Sequence, residues 1–455
     1  MERKSSSPMA PTFMVSAPGK VIVFGEHAAV YDKPAIAAAI SLRSYLLVTT
    51  LSKSQRTVKL NFRDIGLDHT WKIDTLPWEV FQQPTKKKFY YSLVDSLDPE
   101  LLEAIKPHAE AISKDLPEKQ RKIHIRSATA FLYLFLSLSS PESPGFIYTL
   151  RSTIPIGAGL GSSASVCVCL SAALLLQIRT LAGPHPDQPP EEAETQIERI
   201  NRWAFVGELC THGDPSGIDN TVSASGKAVV YQRNGANAPT VTPLTKFPKL
   251  PLLLIDTQHA RSTATQVDKV RGLRTNHEQL TESILNGIGQ LTASALQLIT
   301  SPGFDSQDGI SRTLDHLGTL IRINHGFLVS LGVSHPRLER IRELVDYTDI
   351  GWTKLTGAGG GGCAITLFKP DVLEETVQEL ERDLTAEGFR IYETVLGADG
   401  VGVLWPAVFR TEGEGSEEID QEKFENAPGA KGIEELVGVG VQENREGWKF
   451  WTRYI

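Results

Sequence analysis

Apolar residues occur along the chain in short runs whose spacing sets out the elements. Residues 13–16 and 21–24 are two runs of strand length, parted by Ala17-Pro18-Gly19-Lys20, where proline and glycine predict an irregular turn. Residues 28–40 are rich in alanine, while 44–51 and 58–62 have the β-branched, alternating content of strands. From about residue 77 to 127, charged helical stretches are broken by prolines, which predicts an inserted helical layer. Residues 129–137 continue as an apolar helix and 146–152 alternate as a strand does. The most membrane-like segment, 164–178, is shorter than the ~20 apolar residues a span needs and carries serine and cysteine, so 165–181 read as a buried helix.

After a proline-rich loop at 183–190, Glu191, Glu192 and Glu194 supply the acidic first turn favoured at a helix start. That helix is expected to run to Thr211-His212 and close at Gly213. Residues 222–231 and 252–256 predict strands, 263–347 are mostly helical, and 364–368 predict a strand after a glycine run. Strands and helices mixed in this way predict an α+β fold of two lobes. From about residue 410, Glu412, Glu414, Glu417, Glu418, Asp420, Glu422 and Glu425 form an acidic stretch expected to be mobile. The aromatic end, from Trp448 through Phe450, Trp451 and Tyr454 to Ile455, is expected to pack on the body.

Composition narrows the class. The chain has 455 residues, 41% hydrophobic and 22% charged, which is ordinary globular usage at a length that favours two or three lobes or domains. A net charge of −8 excludes a duplex-coating protein, so any anionic ligand must be held locally. Cys167, Cys169, Cys210 and Cys363 lie in apolar or glycine-rich stretches without a CxxC pair and read as free core thiols. The first eight residues lack the apolar core of a secretory signal, and cytoplasm is the expected compartment.

Candidate chemistry gathers in a few places. The loop Gly157-Ala158-Gly159-Leu160-Gly161-Ser162-Ser163-Ala164 lies between a predicted strand and a predicted helix, where converging backbone N–H groups and the helix dipole favour phosphate. It lacks the lysine of a P-loop and fails the dinucleotide fingerprint, so a plain strand-to-helix turn stays open, although the Ser162-Ser163 hydroxyls suit a Mg²⁺ ligand. A second run, Gly357-Ala358-Gly359-Gly360-Gly361-Gly362, matches G-x-G-x-x-G literally but leads into a strand, which argues for close backbone approach instead of dinucleotide binding. Lys20 could balance developing charge, and Glu208 and Asp219, 11 positions apart, could divide the work of metal ligand and base. Taken singly, Lys20, Glu208 and Asp219 read first as ordinary surface or capping groups, and Glu26 and His27 could be satisfied structural groups.

In combination they carry more. Ala17-Pro18-Gly19-Lys20 with Gly25-Glu26-His27, then Pro155-Ile156 with the Gly157–Ser163 loop, and then Lys354-Leu355-Thr356 with the second glycine run and Cys363, resemble the three ordered motifs of the galactokinase, homoserine kinase, mevalonate kinase and phosphomevalonate kinase (GHMP) superfamily. His27, the segment 214–220 and Arg261-Ser262-Thr263 are most similar to its mevalonate kinases, and the resemblance covers about residues 13–405. It implies a two-lobed fold with a left-handed β-α-β unit in an amino-terminal nucleotide-binding lobe, 1–235, and a ferredoxin-like carboxy-terminal lobe, 236–409. The segment 410–455 inherits no role.

The implied activity is ATP-dependent phosphorylation of the C5 hydroxyl of mevalonate, in isoprenoid and sterol precursor synthesis, by direct in-line transfer. Pro155, Gly157, Gly159, Leu160, Gly161, Ser162, Ser163 and Ala164 would hold ATP, and Ser163 and Glu208 would hold Mg²⁺. Asp219 would take the hydroxyl proton, with Lys20 beside it, while Glu26, His27, Thr263 and Gly359 would help to place the substrate. Isoprenyl diphosphate inhibitors and a homodimer are further implied partners; nucleic acid and membrane are not expected. Another GHMP kinase activity, on phosphomevalonate, homoserine or galactose, and a non-catalytic member are the alternatives, against which stand the Glu26-His27 pair and the full set of Lys20, Ser163, Glu208 and Asp219. The chain departs from the family pattern at Asp214, where asparagine is common, and in lacking a lysine after Thr263.

Overall fold

Two long strands organise the protein, a computed structural model that describes residues 11–86, 94–181, 183–185, 187–235, 237–260, 262–301, 307–411, 415–439 and 445–452. Arg261, Glu412, Glu414, Pro186, the first eight residues and the last three lie outside the described residues. Phe13–Phe24 pairs antiparallel with Ala35–Thr50, from Phe13 opposite Val48 to Phe24 opposite Ile36. The two apolar runs expected as separate strands are therefore one strand, and the turn expected at 17–20 is replaced by a register shift between Pro18 and Lys20, with a second between Ile22 and Phe24. Proline cannot donate to a ladder, and a bulge absorbs the missing bond. The shift also releases the backbone N–H of Lys20 from the partner strand, and it donates to Leu160 O at 2.9 Å.

The alanines of 35–39 are the start of the second strand, where small side chains let Val222, Val229 and Ala398 pack closely on Ala37 and Ala39. Around these two strands the described residues form one sheet in the order Lys449–Phe450, Gly402–Leu404, Phe13–Phe24, Ala35–Thr50, Arg390–Leu396, Leu250–Asp256, Cys363–Phe368, Gly351–Leu355. Phe146–Ser152 and Ala228–Asn234 pair with the Ala35–Thr50 strand as well. The two halves of the sheet join where Ile40 lies opposite Leu396.

One core lies under the helices Glu118–Leu138, Ser162–Gln177 and Pro190–His212, which sandwich apolar residues from Phe13 to Trp203 against the sheet. Others lie under Glu278–Ile299, Gln307–Ser330, Pro336–Thr348 and Glu374–Ala386 on the second half. No helix of the described residues is long and apolar enough to cross a membrane. The four cysteines are free thiols, three of them buried.

Two further expectations change. Residues 222–225, read as the start of a strand, belong to the helix Ile218–Ser225, and the strand begins at Ala228. Val222 and Ala224 imitate strand alternation, but Gly217 at φ 78° and Gly226 at φ 71° bracket a short helix. At Gly226 a Cβ would stand 2.2 Å from Gly400 N, so the backbone can turn against the Asp399-Gly400 segment only without a side chain. The acidic stretch is also not wholly mobile, because Gly415–Glu418 is a strand paired with Val408–Thr411 and Gln421–Asn426 is a helix. Buried Arg151 holds that helix by donating to the carbonyls of Phe424, Glu425 and Ala427 at 3.0, 2.7 and 3.0 Å. Near the chain's end Trp451 is buried, its indole N–H donating to Gln196 Oε1 at 2.7 Å.

Candidate active site

The helix Ser162–Gln177 begins on Gly161, in left-handed conformation at φ 74°, with no side-chain cap and no acidic residue in its first turn. Its leading N–H groups therefore have no acceptor within the helix and sit at the positive end of the dipole. Ahead of it Gly157, Gly159 and Gly161 all have φ between 74° and 78°. Ala158 and Leu160 between them are buried in the apolar core and pin the loop, which leaves the backbone at exposed Gly157 and Gly159 on the surface. A Cβ at Gly157 would meet nothing within 4 Å, whereas one at Gly161 would lie 3.0 Å from Lys20 Cγ and 3.5 Å from Asp219 Oδ2. Glycine at 161 is what lets the loop close over that pair.

Lys20 Nζ lies 3.2 Å from Asp219 Oδ1 and donates to Gly159 O at 3.3 Å. Asp219 stands in the first turn of Ile218–Ser225, and Glu208 near the end of Pro190–His212. Glu208 is buried, and burial together with the charge of Asp219 pushes its carboxyl up to about 7, against the pull of hydrogen bonds from Ser163 and Cys167 and the charge of Lys20. Ser163 Oγ is also 3.0 Å from Nε2 of His212, whose pKa burial lowers. Lys20, Ser163, Glu208 and Asp219 thus converge. The Asp219 carboxylate paired with Lys20, the buried Glu208 carboxyl and the Ser163 hydroxyl at the uncapped helix start make a donor set of hard oxygens, and this fits Mg²⁺.

Glu26, expected to help place the substrate, lies away from the Lys20–Asp219 pair in the network of contacts it makes. Its carboxylate is paired with Lys354 and accepts from Asn324 Nδ2 at 3.0 Å, all three side chains being buried. His27, at φ 60°, puts Nε2 2.8 Å from Ala358 O, where it donates, and burial holds its pKa below the usual histidine range. The second glycine run is a packing device: a Cβ at Gly359 would stand 2.1 Å from Val333 O, and one at Gly360 2.2 Å from Gln266 Nε2. Thr263 is exposed as the first residue of Thr263–Asn276, behind the cap Ser262, one turn from that same Gln266. Gly359→Ala is expected to destabilise by about 2–4 kcal/mol through left-handed strain and overpacking. Denaturant unfolding of that variant checks it, and an unchanged midpoint would refute the packing role.

His212 and Asn324 were not named from the sequence as site residues, and Lys354 and Thr356 entered it only as parts of the third motif. Lys354 did leave a signal, a lysine at the end of an apolar strand within the third motif; Asn324 left none.

The description "GHMP kinases N terminal domain" matches residues 124–227 and "GHMP kinases C terminal" matches 307–385. The chain is 74% identical to a mevalonate kinase of Aspergillus fumigatus over 100% of its own length and 84% of that protein's. It is 39% identical to the mevalonate kinase of Saccharomyces cerevisiae, covering 87% of this chain and 90% of the other, and 33% identical to that of Homo sapiens, covering 87% and 96%. Among solved structures the Methanococcus jannaschii mevalonate kinase aligns with a TM-score of 0.59 at 22% identity over 87% of this chain and 99% of that one, a likeness of fold that agrees with the two-lobed α+β architecture.

Proposed function

The chain belongs to the mevalonate kinases of the GHMP superfamily, and on that premise we propose that this site moves the γ-phosphoryl group of ATP directly onto the C5 hydroxyl of mevalonate. The observation that supports it best is the Lys20–Asp219 pair lying under the glycine loop, 3.2 Å apart, with Lys20 also on Gly159 O. The N–H groups at the uncapped start of the Ser162–Gln177 helix, with the glycine loop that leads into it, hold the phosphates. Asp219 accepts the proton that the attacking hydroxyl gives up, so the oxygen becomes a better nucleophile as its bond to phosphorus forms. Lys20 sits against both the incoming oxygen and the transferring group and offsets the charge that spreads over the phosphoryl oxygens. His27 and Thr263 border the acceptor side, while Glu26 acts from behind, by fixing the loop that carries His27.

Ser163 and Glu208 are the residues that would hold Mg²⁺, which when bound neutralises phosphate charge. A carboxyl raised from 4.5 to about 7 keeps its proton more tightly in the folded than in the unfolded chain. Its contribution to the stability of metal-free protein is therefore present below about 4.5 and lost as pH rises to about 7. Because the ligand must be ionised, Mg²⁺·ATP binding at pH 6.5 is expected to release a proton from the protein, a release that disappears in Glu208→Gln. Calorimetric titration in two buffers of different ionisation heat measures it; equal release from wild type and variant would remove Glu208 from the metal site.

The activity itself is tested by ADP release from the purified protein offered mevalonate, phosphomevalonate, homoserine and galactose separately. Turnover is expected with mevalonate, and turnover on another acceptor in its place would overturn the reading.

A further inference from the structure

Among the ion pairs of the described residues, Glu26–Lys354 is the most deeply buried, with side chains 1% and 0% exposed. An apolar pair of like volume would stabilise a core as well or better, so stability alone does not account for it. What the pair supplies is direction. Glu26 follows the Phe13–Phe24 strand, which carries Lys20, whereas Lys354 lies on Gly351–Leu355, which leads into the second glycine run. Asn324, on Gln307–Ser330, grips the other oxygen of Glu26 at 3.0 Å. Next to it Thr356 Oγ1 accepts from Ile22 N–H at 3.2 Å and donates to Ile22 O at 2.8 Å. The His27 ring reaches Ala358 O at 2.8 Å. Residues 22, 26 and 27 are thus tied to 354, 356 and 358, and Lys20 is two residues before the first tie.

We propose that Lys354 is a positioning residue for the transfer: locked on Glu26, it holds the end of the Phe13–Phe24 strand in the place that sets Lys20 against Asp219 and Gly159. The inference rests on the reading of Lys20 and Asp219 given above. An apolar side chain at 354 would fill the space but let the strand end slide, and displacement by about 1 Å can cost on the order of 10²-fold in rate.

Lys354→Met by itself leaves a buried unpaired carboxylate and can fail to fold. The decisive variant is therefore Lys354→Met/Glu26→Gln, which removes both charges. It is expected to melt within a few degrees of wild type, to lose about 10–100-fold in kcat with KM for ATP little changed, and to exchange backbone amides faster across residues 22–27. Recovery of kcat to about the wild-type value along with the melting temperature would make the pair structural only and overturn the proposal. So would unchanged exchange at 22–27, or a double variant that does not fold. The exchange comparison needs no substrate, so it judges the tie separately from the assigned activity, which fails only if wild type does not phosphorylate mevalonate.

Discussion

Asp219→Asn is expected to lower kcat by about 10²–10⁴-fold while Mg²⁺·ATP still binds within a few-fold of wild type, because a positioned base contributes on that scale and the amide cannot take the proton. The substitution keeps the side-chain shape and leaves the loop undisturbed, since Lys20 retains Gly159 O and the Gly161 backbone needs only the absence of a Cβ. The loss should fall on kcat and on kcat/KM alike, the pattern of an interaction made in the transition state. Single-turnover kinetics with nucleotide binding measured in parallel decide the matter. A variant with near-wild-type kcat would mean that Asp219 is not the base, and one that had lost nucleotide binding would mean that it shapes the ATP site.

Ending the chain at Thr411 is expected to abolish soluble expression. The segment beyond it brings Phe424, Ile433 and Val437 into a core with Met14, Tyr45, Leu47, Leu404 and Phe409, and Trp451 into the large core below the helices. Four such side chains contribute about 6–12 kcal/mol when buried, comparable to the whole stability of a typical domain. The truncation would also strip buried Arg151 of its three carbonyl acceptors and Tyr45 of Glu434, whose oxygens lie 3.1 and 3.2 Å from the phenol. Soluble fraction and thermal melting of the shortened protein test this, and a soluble form melting like the full chain would show that the segment is a dispensable appendage. Trp451→Ala is the milder companion, expected to cost about 3–5 kcal/mol.

Much of this was legible along the chain. Phe146–Ser152, the helix from Pro190 to His212 with its closing Gly213, and the strand ending at Phe368 follow from local rules of alternation, acidic first turns and glycine closure, which act within a few residues. The bulged first strand was not legible, because Ala17-Pro18-Gly19-Lys20 carries every local sign of a turn and is held in the sheet by Ala35–Thr50 on one side and Leu160 on the other. The Ile218–Ser225 helix was missed for a related reason, its two inward apolar residues being spaced as a strand would space them.

At the site the division is sharper. By itself the sequence determined the family and with it the candidate set of Lys20, Ser163, Glu208 and Asp219, since ordered motifs with turn-forming glycines are written in residue identity and spacing. Only the tertiary structure decided what each faces. It paired Glu26 with Lys354, placed His212 on Ser163, and brought Asn324 to a carboxylate 298 positions distant. Identity and spacing describe neighbours along the chain, whereas the partner of a buried charge is chosen by which surfaces the folded lobes press together.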